Sequence, residues 1–199
     1  MALVVGAVVP ASASLLTYSS AGDFASANTD QAFQNISFAQ GDFGTSLTEG
    51  DVIFANPTDL TGALAPTGWP AGNILEAPAG PNTITITLPD TVRAIGFYAG
   101  PQNYSNFGVH ISNSGGDQAG GDAYPGTPTS AMFFGFRSDS PITSLTVTAF
   151  NPTFDRIAIE DVSAGTPDVA ETPEIATFLL VASGLFFLRF ARRWMPTIN

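Results

Sequence analysis

Side chains that could carry nucleophilic or metal-assisted chemistry are scarce in this chain of 199 residues. It has no cysteine and one histidine, His110, so thiolate chemistry and a histidine-based zinc site are excluded. A Ser-His-Asp triad would require His110, but no Gly-x-Ser-x-Gly turn supplies its nucleophile. His110 lies in a predicted strand, 107–111, and the pattern favours an ordinary strand residue there.

Carboxylates are the remaining groups that could act in catalysis, because a carboxylate pair can hydrolyse a glycosidic bond. The available ones include Glu49, Asp51, Glu76, Glu160 and Asp161. Acidic residues are abundant throughout the chain, so the sequence selects no pair among them. We therefore expect a protein that is not an enzyme.

A glycine-rich acidic segment, 115–122, is the one stretch with the character of a calcium loop. Asp117 and Asp122 would supply its carboxylates. The glycine spacing matches neither an EF-hand nor a calcium-binding nonapeptide repeat. A solvated loop is the favoured interpretation, so no cofactor is expected, with calcium at Asp117 and Asp122 as the alternative.

Aromatic residues outside regular strands could bind sugars, since rings stack on the apolar faces of pyranoses. Trp69 lies in a Pro- and Gly-rich stretch, and Tyr98, Tyr104 and Tyr124 fall in or beside predicted loops. Loop aromatics can form binding platforms, but they can equally cover the edge of a core. Both interpretations stay open at this point.

The charge balance excludes one class of partner. The formal net charge is −11, and all six basic residues are arginine. Nucleic-acid binding depends on neutralising phosphates with basic groups. No nucleic-acid partner is therefore expected.

Short alternating segments predict an all-β domain. In 82–88, Ile84 and Ile86 face one side and threonines the other, which is the period of a half-buried strand. The other strands are predicted at 36–38, 51–54, 92–98, 107–111, 131–136, 142–149 and 156–162. One short helix is predicted over 24–33, with Asp23 as its cap. Strands of this length with turn residues between them favour a single β-sandwich or jelly-roll-like domain over 14–165.

The first thirteen residues have the features of a secretory signal peptide. An apolar run, 3–9, is followed by Pro10 and the small residues Ala11 and Ala13, which suggests cleavage after Ala13. The usual basic residues before the apolar run are absent. A buried first strand is the alternative.

The segment 175–195 predicts a transmembrane helix with a basic tail. Its uncharged part, 175–188, would be roughly 21 Å long as a helix, which is shorter than a bilayer core of about 30 Å. Extension to Met195 gives about 20 residues, enough to span. Arg189, Arg192 and Arg193 follow the apolar run, so the positive-inside rule places the tail in the cytoplasm and the body outside.

The order of these C-terminal features resembles the PEP-CTERM sorting signal of exopolysaccharide-producing Gram-negative bacteria. Thr172, Pro173 and Glu174 form the motif, with Ile175 in place of the usual second proline, and the apolar helix and arginines follow. The resemblance implies recognition by an exosortase in the cytoplasmic membrane. It covers roughly 172–194 and implies nothing about the activity of the body.

A second resemblance covers about 80–165. The stretch Phe133-Phe-Gly-Phe136, the Thr-rich strand after Pro141 and the strand ending at Val162 are similar to extracellular bacterial β-sandwich domains that carry this tail. That architecture is like that of carbohydrate-binding jelly rolls, which suggests a ligand class without establishing it.

The sequence thus predicts a signal peptide (1–13), a β-sandwich ectodomain (14–165), a Pro- and acid-rich linker with the sorting motif (166–174) and a membrane helix (175–195). The expected function is that of an exported, surface-sorted structural or matrix/adhesive protein with a C-terminal exosortase-type sorting signal, and extracellular polysaccharide is a candidate partner. A carbohydrate-binding module is the alternative, and a carboxylate-dependent hydrolase is a further one.

Overall fold

The computed structural model describes residues 15–70, 72–78, 83–101, 107–113, 118–123, 130–149 and 156–168. Of 107–113 and 118–123 it describes the backbone. The elements in chain order are β1 (Leu15–Tyr18), α1 (Ala21–Ala27), β2 (Gln31–Ile36), β3 (Gly41–Glu49), β4 (Val52–Leu64), β5 (Asn73–Ala77), β6 (Thr83–Thr87), β7 (Ala94–Pro101), β8 (Phe107–Asn113), β9 (Gln118–Ala123), β10 (Met132–Ser138), β11 (Ile142–Ala149) and β12 (Ile157–Pro167).

Alternation along the strands determines which side chains are buried. In β6, Ile84 and Ile86 are buried, while Thr83 and Thr85 are only half-buried. β11 repeats the pattern with Leu145 and Val147 inside, and it pairs antiparallel with β6. The apolar residues thus fill the core from one face of each strand, and the threonines lie on the other face.

All described strands belong to one antiparallel sheet with two distinct halves. We call β1-β10-β7-β12-β2 the first half and β3-β4-β6-β11-β8-β9 the second half. β5 connects them, because it pairs with β12 on one side and β4 on the other. The long strands β4 and β12 each change partners along their length.

The two halves pack against each other around a common core. Ile95 and Phe97 from β7 belong to the same cluster of buried side chains as Phe54 from β4 and Val147 from β11. The prediction of an all-β domain is confirmed, in the form of a curled antiparallel sheet with sandwich-like packing.

The predicted helix over 24–33 differs from the structure. α1 is seven residues long, and its N-cap is Ser20, whose Oγ accepts from the backbone N–H of Asp23 at 3.4 Å. The helix ends at Ala27, and its C-cap is Asn28, whose Nδ2 donates to the carbonyl of Phe24 at 2.7 Å. Phe33 therefore lies in β2. Pairing with β12 along 31–36 makes this segment a strand, and Phe33 and Ile36 face opposite sides of the sheet.

The domain also extends slightly beyond its predicted boundary. Thr166 and Pro167, assigned above to the linker, pair with Ala32 and Gln31 of β2. The predicted signal peptide, the remaining linker beyond Asp168 and the predicted membrane helix lie outside the described residues. Within those residues, no helix has the length and apolar character needed to cross a membrane.

Candidate ligand-binding groove

One face of the first half points away from the core, and we call it the outer face. In β7, Ile95, Phe97 and Ala99 enter the core, so Gly96, Tyr98 and Gly100 lie on the outer face. The strand is thus apolar on one side and carries glycines and one tyrosine on the other. Glycine within a strand commonly marks close approach of another group.

Strand register brings two of these glycines together. Gly96 pairs with Gly135 of β10 on one side and with Ser163 of β12 on the other. The ring of Phe24, from α1, lies directly over both glycines: a Cβ at Gly96 would be 2.8 Å from its Cε1, and one at Gly135 would be 2.7 Å from its Cδ2. Any larger residue would displace the ring, so the missing side chains allow α1 to sit on the sheet.

Phe24 is the centre of a cluster of rings on the outer face. Its centroid lies 5.7 Å from that of Tyr18, 5.5 Å from Phe33 and 5.7 Å from Phe133. Phe133 in turn lies 5.3 Å from Tyr98 at an interplanar angle of 70°. These tilted and edge-on geometries are the favoured ones for aromatic pairs. Phe24 is buried, whereas Phe33, Tyr98 and Phe133 are half-buried.

A groove of about 630 Å³ opens beside this cluster, between α1 and the strands. Its volume falls in the range of about 300–1,000 Å³ typical of ligand pockets. The lining residues come from α1, β2, β7, β10 and β12 and from Ser37, just after β2: Ala21, Phe24, Ala25, Phe33, Asn35, Ile36, Ser37, Gly96, Tyr98, Phe133, Asp161, Val162 and Ser163. Rings and small side chains thus form most of the walls.

Polar groups are concentrated along the β2–β12 side of the groove. Asn35 and Ser163 are register partners, and the Ser163 hydroxyl donates to Asn35 Oδ1 at 2.7 Å. This bond fixes the amide so that its Nδ2 hydrogens remain as donors. The arrangement provides a donor and a hydroxyl next to the rings.

Asp161 supplies a carboxylate to the same side. The β7–β12 register shifts between Glu160 and Ser163, and Asp161 adopts a positive φ of 49° within this bulge. Aspartate tolerates this conformation better than most residues. The bulge leaves the Asp161 side chain exposed at the groove wall.

Glu160, the residue before Asp161, is buried. It is 1% exposed, pairs in register with Tyr98, and neither carboxyl oxygen has a hydrogen-bond partner among the described residues. Its Oε1 lies against Gly72, where a Cβ would approach to 2.8 Å. Burial, and secondarily the negative charge of Asp161, raises the pKa of Glu160 from 4.5 to about 7. Glu160 does not line the groove.

Of the four aromatic residues predicted as ligand contacts, the structure places Tyr98 in the groove. Trp69 is 9% exposed, packs with Ile74 and Ala158, and has no partner for its Nε1 in the described part of the chain. It lies close to Gly100 on the outer face and is not part of the groove lining. Tyr104 and Tyr124 lie outside the described residues.

The other predicted sites fall mostly outside the described part. This holds for Asp117, for the motif Thr172, Pro173 and Glu174, and for the tail arginines. Asp122 lies in β9, whose backbone alone is described. Within the described residues, no group of three or more potential metal ligands is present.

The candidate carboxylates of the described residues lie in different surroundings. Glu76 forms an ion pair with Arg156 at 3.0 Å. Glu160 is buried while Asp161 is exposed, so the two neighbours face different surroundings. Of the remaining candidates, Glu49 is the last residue of β3 and Asp51 lies in the β3–β4 turn.

Several lining residues were missed by the sequence analysis, namely Phe24, Phe33, Asn35, Phe133 and Ser163. For the three phenylalanines among them, a signal exists in the glycines at positions 96, 135 and 165, each inside a strand and each facing an aromatic ring. At Gly165, for example, a Cβ would lie 2.7 Å from the ring of Phe33. Such glycines indicate close approach, but not by which residue.

Comparisons with known proteins establish no family for this chain. No protein-family profile matches it, and no curated protein matches it. Solved structures of family 29 carbohydrate-binding modules share part of its shape. A variant bound to cellulohexaose is 13% identical with a TM-score of 0.39, over 70% of this chain and 94% of the module. A variant bound to mannohexaose is 11% identical with a TM-score of 0.40, over 68% and 92%. Similarity at this level carries no functional argument.

Proposed function

We propose that the described domain is a carbohydrate-binding module that holds an oligosaccharide in the outer-face groove. The observation that carries the proposal is the composition of the groove wall. Half-buried rings of Phe33, Tyr98 and Phe133 lie beside the polar side chains of Asn35, Asp161 and Ser163.

This combination suits the two surfaces of a sugar ring. The C–H face of a pyranose is apolar and packs on aromatic rings, while its hydroxyl groups both donate and accept hydrogen bonds. In the groove, Asn35 Nδ2 donates, the Asp161 carboxylate accepts, and the Ser163 oxygen can accept from a ligand. A few oriented polar groups among apolar walls are typical of small-molecule sites.

The placement of the carboxylates is consistent with a site that binds a sugar without cleaving it. Glycoside hydrolysis normally needs two carboxyl groups facing the scissile bond. Among the described residues, Asp161 is the one acidic side chain lining the groove. Glu160 is buried and unavailable to a bound sugar in this arrangement.

Titration calorimetry with soluble oligosaccharides of glucose and of glucosamine tests the proposal. Tyr98→Ala removes one ring from the groove wall, and we expect it to weaken binding about tenfold, or roughly 1.4 kcal/mol. Leu64→Ala, which truncates an exposed apolar residue of the second half, is the matched control and should leave affinity unchanged. Circular dichroism verifies that both variants fold.

Two results would overturn it. One is the absence of saturable binding by any oligosaccharide to the folded domain. The other is binding that Tyr98→Ala leaves intact in a variant with a native spectrum.

The flanking segments carry a separate proposal about location. The apolar segment 3–9, the motif Thr172, Pro173 and Glu174, and the arginine-flanked apolar segment 175–195 support export, insertion in the cytoplasmic membrane and exosortase-dependent sorting to the cell surface or matrix. A carbohydrate-binding domain delivered there would attach to extracellular polysaccharide, which is the matrix role expected above.

Intact-mass measurement of the protein from cells with and without an exosortase tests the sorting step. We expect a species that lacks 178–199 only when the exosortase is present. If the mass includes 178–199 in both strains, the sorting proposal fails and a simple membrane anchor takes its place.

A further inference from the structure

The charge of the groove narrows the class of carbohydrate it would hold. Asp161 is the one lining side chain with a formal charge near neutral pH, and it is exposed at the wall. No arginine lines the groove among the described residues, and the whole chain contains no lysine. The site therefore offers negative charge and no positive charge.

The three arginines of the described part form their hydrogen bonds and ion pairs with groups that do not line the groove. Arg137 binds Asp30 at 2.8 Å and the carbonyl of Ala27 at 2.6 Å. Arg156 pairs with Glu76, and Arg93 donates to the carbonyls of Asp90 and Val92. None of them offsets Asp161 within the groove.

The aromatic walls act in the same direction as the carboxylate. The faces of Phe and Tyr rings carry negative electrostatic potential and attract cations within about 6 Å of the ring centroid. Phe33, Tyr98 and Phe133 are half-buried, so a cation beside them would be partly desolvated and more strongly attracted. The chain's net charge of −11 adds a long-range attraction for positively charged ligands.

We propose that the groove prefers a carbohydrate with free, protonated amino groups, such as a de-N-acetylated amino-sugar chain, over a neutral or N-acetylated one. This rests on the proposed carbohydrate-binding function. The sugar face packs on the rings, and the ammonium group lies beside the Asp161 carboxylate. Anionic polysaccharides are disfavoured, because their charge would face Asp161 without a counter-ion.

The experiment compares three soluble oligomers of equal length, made of glucosamine, N-acetylglucosamine and glucose. Calorimetry is run at about pH 6, where amino groups of this kind are protonated. The wild-type protein is compared with Asp161→Asn, which keeps size and polarity but removes the charge. Asp51→Asn, in the exposed β3–β4 turn, is the control for a loss of one unit of net charge.

The expected result is about tenfold tighter binding of the glucosamine oligomer than of the other two. Asp161→Asn should reduce this preference by about three- to tenfold, while leaving the affinity for the glucose oligomer nearly unchanged. Asp51→Asn should change the preference by less than about twofold, because Asp51 is exposed and does not line the groove.

The outcomes separate the two proposals. If the glucose oligomer binds through Tyr98 and the glucosamine oligomer binds no better, carbohydrate binding stands and the amino-sugar inference is overturned. A preference that Asp161→Asn and Tyr98→Ala both leave unchanged also overturns it, since the attraction would then be a property of net charge. If none of the three oligomers binds, the proposed function fails and the inference fails with it.

Discussion

The two faces of the first half of the sheet are built from the same strands by different means. On the core face, Phe97 stacks on Phe134 with a centroid distance of 5.9 Å and an interplanar angle of 24°, and aliphatic side chains surround them. On the outer face, Gly96 and Gly135 carry no side chains, and rings contributed by α1 and β10 lie over them. The core face is thus filled by side chains of its own strands. On the outer face, the absence of side chains at two glycines makes room for the rings.

The difference matters because a filled face stabilises the fold, while an incompletely filled face can accept a ligand. On the core face, Ile95 and Phe97 are fully buried in a cluster of apolar side chains, and such interiors are closely packed. On the outer face, the rings meet edge-on, and the groove remains between them and β2. Stability and binding should therefore respond differently to substitutions on the two faces.

The largest effect is expected from truncating matched phenylalanines on neighbouring strands. Phe97→Ala removes a fully buried ring and should lower the free energy of unfolding by about 3–5 kcal/mol. Phe133→Ala, on the half-buried outer face, should cost roughly half as much and should weaken oligosaccharide binding. Urea unfolding and calorimetry on both variants measure these effects. Equal stability losses, with binding intact in Phe133→Ala, would contradict the contrast between the faces.

The next effect concerns Glu160 and depends on pH. Its pKa is about 7 in the folded protein against an ordinary value of 4.5, so the folded state binds the extra proton between these values. Stability should therefore fall as pH rises from about 4.5 to 7, and then level off once the buried carboxyl is ionised in both states. The shift corresponds to a loss on the order of 3 kcal/mol.

Replacing this carboxyl by an amide tests that assignment. Glu160→Gln cannot ionise, so at about pH 8 it should be more stable than the wild type by up to about 3 kcal/mol, and at about pH 4 the two should nearly agree. Asp51→Asn, in an exposed turn, is the control and should not reproduce this profile. A constant difference between Glu160→Gln and wild type at all pH values would contradict the buried-acid assignment.

A smaller effect is expected where a methyl group is added beneath the Phe24 ring. Gly96→Ala would place its Cβ 2.8 Å from Phe24 and 2.9 Å from Phe133, so both rings must move. We expect a loss of about 1–3 kcal/mol and weaker ligand binding, since the floor of the groove changes. Thermal unfolding of Gly96→Ala is compared with that of Gly22→Ala.

Gly22 is the matched control because it lies in α1, where its Cβ would meet nothing closer than the Ser20 hydroxyl at 3.7 Å. Gly22→Ala should be neutral or stabilising, since alanine is a better helix former by up to about 1 kcal/mol. If Gly96→Ala and Gly22→Ala change the unfolding temperature equally, the absence of a side chain at Gly96 is not what allows Phe24 and Phe133 to pack on the sheet.

The smallest effect is expected from the exposed ion pair between Arg137 and Asp30, which connects β10 to the turn after α1. The hydrogen bond from Arg137 lowers the pKa of Asp30, so any stabilisation is present above the ordinary aspartate pKa and is lost as pH falls through the lowered value. Asp30→Asn should therefore be slightly less stable than the wild type at neutral pH, and the two proteins should be equally stable in strong acid. Thermal unfolding at both pH values measures this difference. A difference that persists in acid would show that the charge is not its source.

The alternating strands of the core were accessible from sequence because their signal is local. Ile84 and Ile86 in β6, and Leu145 and Val147 in β11, are each two residues apart, which is the period of a strand, and the structure buries all four. The segment around Phe33 was misassigned to a helix, because its polar neighbours carry no clear strand period. The segment is a strand because it pairs with β12, which is far away in the sequence. Asn35, for example, pairs with Ser163, 128 residues further on.

The groove was less predictable for the same reason. Its walls combine Phe24, Phe33, Tyr98, Phe133 and Asp161, which come together only through the order of the strands and their register. Tyr98 was identified from its residue type, whereas the carboxylate at Asp161 depends on a bulge that no local pattern indicated. Long-range pairing is the information that the local patterns lacked.

The most direct test of the account is an amide chemical-shift titration of the folded domain with the glucosamine and glucose oligomers. We expect saturable shifts concentrated at Asn35, Gly96, Tyr98, Asp161 and Ser163, the groove residues on the outer face. Thr85 and Thr146, on β6 and β11 of the second half, should remain unshifted. Saturable shifts centred on the second half, or none with either oligomer, would contradict the claim that the outer face of the first half is the binding surface.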